Sequence, residues 1–201
     1  MRALRLGLGI GLIAALFLAL VPNVACAAAS AEQAVRDHLR VKFGVKRDEV
    51  DILSLTPRDL PPGAVEFYVE AKGSHGHDNY NYVVLNNRVY CSRVDGEFAR
   101  LLREQSLLRR KDIVAAQYMR LFSLFALPRQ VSYIDANKLR RFTSDYRAFP
   151  QVQAPTLTRR PDGGVTLTFF ASPAGEAVQP SKWAVSISPT YKVVVASERL
   201  K

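Results

Sequence analysis

Two segments of the chain alternate apolar and polar residues, and they lie about 100 positions apart. Residues 65–71 place valine, phenylalanine, valine and alanine at every second position, and residues 165–171 do so with valine, leucine, phenylalanine and alanine. A period of two predicts β-strands that each turn one face toward a hydrophobic core. The residues expected to face that core are Val65, Phe67, Val69, Val165, Leu167 and Phe169.

The sequence around the two segments is also alike. Each is preceded by a helical pattern and a short Ser/Thr-Leu-Thr strand, at residues 54–56 and 156–158, and is followed by an aromatic-led hairpin containing Tyr82 or Trp183. The offsets stay at about 100 to 102 residues, which predicts an internal repeat. Two unrelated meanders are the alternative, because hairpins are common.

The whole pattern predicts an α+β fold in which two helix-plus-antiparallel-meander units are joined by a helical segment. We expect the first unit to span residues 30–93, the helical connector residues 94–130, and the second unit residues 131–201. A helix packed on a four-stranded meander resembles the cystatin-like modules, although no sequence motif accompanies the likeness. The resemblance concerns the fold alone and implies no activity.

The start of the chain has the three-part pattern of a secretory signal peptide. Arg2 and Arg5 are positively charged, the uncharged apolar run from Leu6 to Leu20 is short for a membrane span, and small residues follow Pro22. We therefore expect residues 1–29 to be a signal peptide and the protein to be periplasmic or secreted. An uncleaved membrane anchor is the alternative interpretation.

The two cysteines leave two questions open. Residues 23–26 (Asn-Val-Ala-Cys) partly fit the box that precedes lipidation in bacterial lipoproteins, so a lipid anchor at Cys26 is an alternative to a soluble mature protein. Once Cys26 is removed, Cys91 has no cysteine partner. Its place at the end of a predicted strand favours a buried thiol over an exchange or dimer-forming role.

No segment after the signal region predicts a transmembrane span. The apolar residues from Ile113 to Leu127 are interrupted by Gln117, Arg120 and Ser123. Such interruptions are typical of a helix that buries one face in a protein core.

Composition indicates a folded and strongly basic protein. Hydrophobic residues make up 48% of the sequence, which argues against disorder. Loss of Arg2 and Arg5 with the signal peptide lowers the formal net charge from +10 to +8. This charge favours an anionic envelope polymer or another envelope protein as partner.

Three runs of basic residues are the candidates for such contacts: Arg109–Lys111, Arg140–Arg141 and Arg159–Arg160. No aromatic motif is interleaved with them, so specific nucleic-acid binding is not expected. An ordinary solvated surface is the alternative explanation of the same runs.

His75, His77 and Asp78 form the one cluster with metal-ligand character. Two histidines at alternate positions of an extended segment point the same way, and imidazole with carboxylate suits zinc, copper or nickel. A structural zinc site usually has four ligands, however. The alternative is an ordinary polar loop over residues 73–79 that contains these histidines by chance. No cofactor is expected.

The neighbouring stretch at residues 78–87 is rich in asparagine and tyrosine (DNYNYVVLNN). Aromatic rings beside amides can bind sugars or peptides, and the same residues also suit an ordinary hairpin with tyrosines paired across strands. The turn of that hairpin is predicted at Asn86 and Asn87.

Familiar catalytic motifs are missing from the sequence, including the nucleophile elbow, the zinc-protease motif, the phosphate-binding loop and the dinucleotide fingerprint. We therefore expect a non-catalytic binding or interaction module. The first alternative is a carrier of a small molecule or lipid, and the second is an enzyme of unfamiliar type. The carrier would have a pocket between helix and sheet lined by Phe122, Phe125, Phe142 and Tyr146.

Processing of the chain can be checked directly. We expect the mature protein in the native cell envelope to start between Cys26 and Ser30, because the small residues there fit signal-peptidase cleavage. Intact-mass measurement of the natively exported protein tests this expectation. A chain that still begins at Met1 would contradict it, and an added lipid mass on Cys26 would identify the anchored form.

Overall fold

The computed structural model describes residues 28–55, 59–73, 76–127, 131–134, 136–141, 149–173 and 179–200. Within them the chain is α+β, with two antiparallel sheets. The helices are α1 (28–43), α2 (Glu97–Glu104), α3 (Ala115–Phe125) and α4 (Ala136–Arg141). The strands are β1 (Val50–Leu55), β2 (Ala64–Gly73), β3 (Gly76–Leu85), β4 (Arg88–Cys91), β5 (Val131–Ile134), β6 (Thr156–Arg159), β7 (Val165–Pro173), β8 (Ser181–Ile187) and β9 (Val193–Arg199).

The first sheet is a meander with strand order β1-β2-β3-β4. Its last hairpin turns at Asn86 and Asn87, whose φ angles of 50° and 59° confirm the predicted two-residue turn. The predicted polar loop over residues 73–79 is wrong, because β2 runs to Gly73 and β3 begins at Gly76. Polar side chains do not prevent pairing there, since the ladder is made by backbone groups.

One face of the first sheet packs against α1. Val35 and Leu39 of the helix are fully buried, at the spacing of four that predicts a helix face, and Gly44 ends the helix with a left-handed φ of 69°. The buried sheet residues on this face are Phe67, Val69, Ala71, Tyr80, Tyr82, Val84 and Cys91. Phe67 and Val69 thus face a core as predicted, and Val65 packs half-buried against the same cluster.

The second sheet is built around β7, with strand order β5-β7-β8-β9. One edge of β7 has two partners, because β6 pairs with its first half and β5 with its second half. Strand β5 was not expected from the sequence, since four residues are too few to show a period. Val165, Leu167 and Phe169 are buried on the inner face of this sheet, as predicted.

Helices α2 and α3 lie between the two sheets and join them in one hydrophobic core. The ring of Phe122 on α3 lies 5.7 Å from that of Phe98 on α2 and 5.8 Å from that of Phe169 on β7. The first sheet contributes Val83, Leu85 and Tyr90. None of the helices in the described part of the chain has the length and apolarity needed to cross a bilayer.

Candidate functional site

The metal-like cluster falls largely outside what the structure describes. His75 lies outside the described residues, and His77 is described only as a backbone position in β3. Asp78 is half-exposed and accepts a hydrogen bond of 2.7 Å from the guanidinium of Arg93. Among the described residues no group of three histidine, cysteine or acidic side chains comes together, and metal binding at His75, His77 and Asp78 stays a prediction.

The asparagines and tyrosines of β3 point to opposite faces of the first sheet. Tyr80 and Tyr82 are buried against α1, with their ring centroids 6.4 Å apart. Asn79 and Asn81 line a cleft on the other face. Because side chains alternate along a strand, the rings and the amides cannot act together as a sugar-binding platform.

Cys91 lies in a buried polar cluster beneath α1. The hydroxyl of Tyr82 lies 3.2 Å from Nδ1 of His38, and Tyr82 lies directly opposite Cys91 in the pairing of β3 with β4. Burial raises the pKa values of the Tyr82 hydroxyl and the Cys91 thiol, and it lowers the pKa of His38. All three groups are therefore uncharged near neutral pH, and a protonated, buried thiol is a poor nucleophile.

A cleft of about 570 Å³ lies between the outer face of the first sheet, α3 and β5. The wall on the side of the first sheet is polar. It carries the hydroxyl and amide side chains of Tyr68 on β2, Asn79 and Asn81 on β3, and Ser92 in the turn that follows β4. The opposite wall is mixed, with the guanidinium of Arg120 beside the side chains of Ser123, Leu124, Phe125, Leu127, Val131, Ser132 and Tyr133. Such a surface is suited to binding a polar ligand through amide and hydroxyl groups.

Glu66 and Arg120 form an ion pair at the base of this cleft. Both carboxylate oxygens of Glu66 are engaged, with Arg120 Nη2 at 2.6 and 2.8 Å and Nε at 3.1 Å. Glu66 is 1% exposed, so its charge depends on this two-point contact for the stabilisation that water would otherwise provide. The pair ties β2 of the first sheet to α3 across 54 positions of sequence.

The charged side chains of the cleft already have ion-pair partners. Glu66 is the one carboxylate among the described residues that line it, and both of its oxygens are bound by Arg120. Arg93 is held by Asp78, and its guanidinium carbon lies 4.8 Å from the ring centroid of Tyr80. The described cleft residues therefore offer hydrogen bonds for binding, and none is an unpaired carboxylate that could act as a general base.

Two of the basic runs predicted from sequence come together on the surface. The guanidinium of Arg159 donates hydrogen bonds to the carbonyl oxygens of Leu108, at 2.9 Å, and Arg110, at 2.6 Å. These contacts hold the β6–β7 hairpin against the turn that precedes α3. We define the basic surface as Arg109, Arg110, Lys111, Arg159 and Arg160.

Positive charge predominates on the basic surface. Arg110 pairs with Asp112 at 2.6 Å and Arg160 pairs with Asp162 at 3.3 Å, so two carboxylates face five basic side chains. Arg109 and Lys111 are exposed, and neither forms an ion pair with another described residue. The third basic run, at Arg140 and Arg141, is exposed on α4.

The residues predicted for a carrier pocket are only partly described. Phe122 is buried in the packed core, and Phe125 is half-buried, with its ring stacked 6.5 Å from that of Phe98. Phe142 and Tyr146 lie outside the described residues. The two described members thus serve the packing of α3, and Phe125 also forms part of the cleft wall.

Comparison with known proteins identifies no relative of this chain. The sequence matches no known protein family and no curated protein, and the fold matches no solved structure.

The Glu66–Arg120 pair can be tested by a double-mutant cycle. Glu66→Leu and Arg120→Leu should each lower the free energy of unfolding by about 3 to 5 kcal/mol, because each leaves an unpaired charge at a buried position. The double variant should lose much less than the sum of the two single losses. Denaturant unfolding supplies the measurement.

The exposed Arg93–Asp78 pair is the matched control for this cycle. Arg93→Leu should cost less than about 1 kcal/mol, since solvent already stabilises both charges. Additive losses at Glu66 and Arg120 would show that the two side chains are not coupled.

Proposed function

We propose that the chain is an exported, non-catalytic binding module, periplasmic or secreted, that holds an anionic macromolecule of the cell envelope on its basic surface. The observation that carries this proposal is the convergence of two basic runs that are about 50 residues apart in sequence. An anionic polymer is favoured over an envelope protein as partner, because closely spaced cations suit a repeating charge.

The fixed geometry of the basic surface supports this proposal. Arg159 is held in place by backbone carbonyls, and Arg110 and Arg160 are held by neighbouring carboxylates. Held side chains lose less conformational entropy when a ligand binds. Arg109 and Lys111 remain exposed and available for direct contact.

The proposal also includes an internal repeat. The order β1-β2-β3-β4 in the first sheet has a counterpart in the succession of β6, β7, β8 and β9 in the second. Helix α1 precedes the first set, and α4 precedes the second. Among the described residues, no strand precedes β1 as β5 precedes β6. In this interpretation the two units share a cystatin-like plan, and α2 and α3 were added between them. The basic surface then lies where the connector meets the second unit.

The cleft beside Glu66 and Arg120 supports a second candidate function, the binding of a small polar molecule. Its volume of about 570 Å³ is sufficient for such a ligand, and Asn79, Asn81 and Ser92 supply hydrogen-bonding groups. These groups fit a polar ligand better than a lipid chain. Binding in the cleft is compatible with a macromolecule on the basic surface.

Charge reversal tests the proposed function. Arg109→Glu/Lys111→Glu should weaken binding to poly-L-glutamate and to isolated native envelopes at least about thirtyfold, because each Lys or Arg near an anionic surface contributes about 1 kcal/mol and each Glu adds repulsion. Wild-type binding should also weaken as salt rises, since the contacts are screened. Co-sedimentation at low and high salt measures both effects.

Lys42→Glu/Lys72→Glu is the matched control, because both lysines are exposed and the change in net charge is the same. It should reduce binding far less than the reversal on the basic surface. Equal losses in the two double variants would mean that only the net charge matters. No enrichment of wild-type protein on either anionic material would refute the proposal.

A further inference from the structure

Strand β9 is an exposed edge of the second sheet. It pairs with β8 along its whole length, and no described strand covers its other side. Residues 194–199 are all exposed. Val194 on one face is 53% exposed and Val195 on the other is 45% exposed, so neither side of the strand is shielded.

This edge lacks the features that protect other edges. Strand β1 carries Asp51 in its interior, and the opposite edge of β7 is covered by β5 and β6. Strand β9 reads Val-Val-Val-Ala-Ser before its first charge at Glu198, contains no proline, and keeps a continuous register with β8. Proteins normally protect an edge of this kind by charge, proline or a bulge unless another strand adds to it.

The hairpin before β9 shows which backbone groups are free. The N–H of Ser188 donates to the carbonyl of Lys192 at 2.9 Å, so Lys192 turns its hydrogen-bonding groups toward β8. Because these groups alternate along an antiparallel strand, Val193, Val195 and Ser197 turn theirs outward. An added antiparallel strand must pair with these outward positions.

Charge selects one register for a second copy of the same strand. When Val195 lies opposite Val195 of the second copy, Lys192 lies opposite Glu198, and two-fold symmetry gives this ion pair twice. A shift of two residues in either direction places Lys192 opposite Leu200 or Ala196 and loses both pairs. In the selected register all outward groups of Val193, Val195 and Ser197 are matched, with about six hydrogen bonds.

We propose that β9 pairs antiparallel with β9 of a second copy of this chain, centred on Val195, and forms a two-fold dimer through a continuous sheet. The exposed side chains of Val194 and Val195 become partly covered in this dimer. The dimer uses none of the residues of the basic surface, which belongs to the connector, β6 and the turn after it, although Arg160 contacts the carbonyl of Ile187 at the end of β8 at 3.2 Å.

Complementary charge variants test the proposed register. Lys192→Glu and Glu198→Lys each place like charges opposite one another twice in their own dimers, so each variant alone should dimerise at least about tenfold more weakly than wild type. A mixture of the two variants restores both opposite-charge pairs and should recover dimer formation. Analytical ultracentrifugation of the exported, processed protein at about 0.15 M salt, where the Debye length is about 8 Å, provides the readout.

A disulfide at the symmetry axis gives an independent measurement. In a Cys26→Ser background, Val195→Cys should form a disulfide-linked dimer on mild oxidation, because directly opposed hydrogen-bonded positions have Cα atoms about 5.5 Å apart, within disulfide range. The neighbouring Val194→Cys, whose counterpart across the axis would be Ala196, should link far less. Cys91 is buried and should not compete.

A monomeric wild-type protein at micromolar concentration, together with no cross-link at Val195→Cys, would overturn the proposal. So would an unrestored mixture of Lys192→Glu and Glu198→Lys when circular dichroism shows that both variants are folded. Restoration in the mixture with a cross-link centred on Val195 supports it.

Discussion

The packing of Phe122 between Phe98 and Phe169 is the contact on which the rest of the structure depends. Helix α1 covers one apolar face of the first sheet, while α2 and α3 cover Val83, Leu85 and Tyr90 on its other face together with the apolar face of the second sheet. A connector between two independent units would not need a buried aromatic centre. Because the connector fills the space between the sheets, it also contacts polar groups at the edge of the core, such as Glu66 and Arg159.

The three surfaces for which we propose a function lie around that core. Helix α3 brings Arg120 to Glu66 and so forms the base of the cleft. The turn before α3 provides the carbonyls that hold Arg159 and so assembles the basic surface. Strand β9 is farthest from β5 and β6 in the strand order and keeps a free edge. The proposed polymer contact and the proposed dimer therefore use different parts of the molecule and can operate together.

Sequence periodicity predicted the buried faces well, because Phe67, Val69, Leu167 and Phe169 obey a local rule of alternation. The same rule placed Glu66 on a polar face. It could not show that α3 covers this face and supplies Arg120, since the partner is 54 positions away. The basic runs can be read directly from the sequence. Their convergence cannot, because it depends on the hydrogen bond from the Arg159 side chain to the backbone carbonyl of Arg110. Long-range pairing of polar groups leaves no periodic signal in one sequence.

The central claim is that both sheets and the connector share one core and unfold together. The chain contains one tryptophan, Trp183, which stacks on Phe169 in the second sheet, and Cys91 is buried in the first. Tryptophan fluorescence and thiol labelling, in a Cys26→Ser background, therefore report on different sheets during denaturant unfolding. A shared core predicts one transition with the same midpoint for both probes. Labelling of Cys91 at a denaturant concentration where Trp183 fluorescence is still native, or the reverse, would contradict the claim.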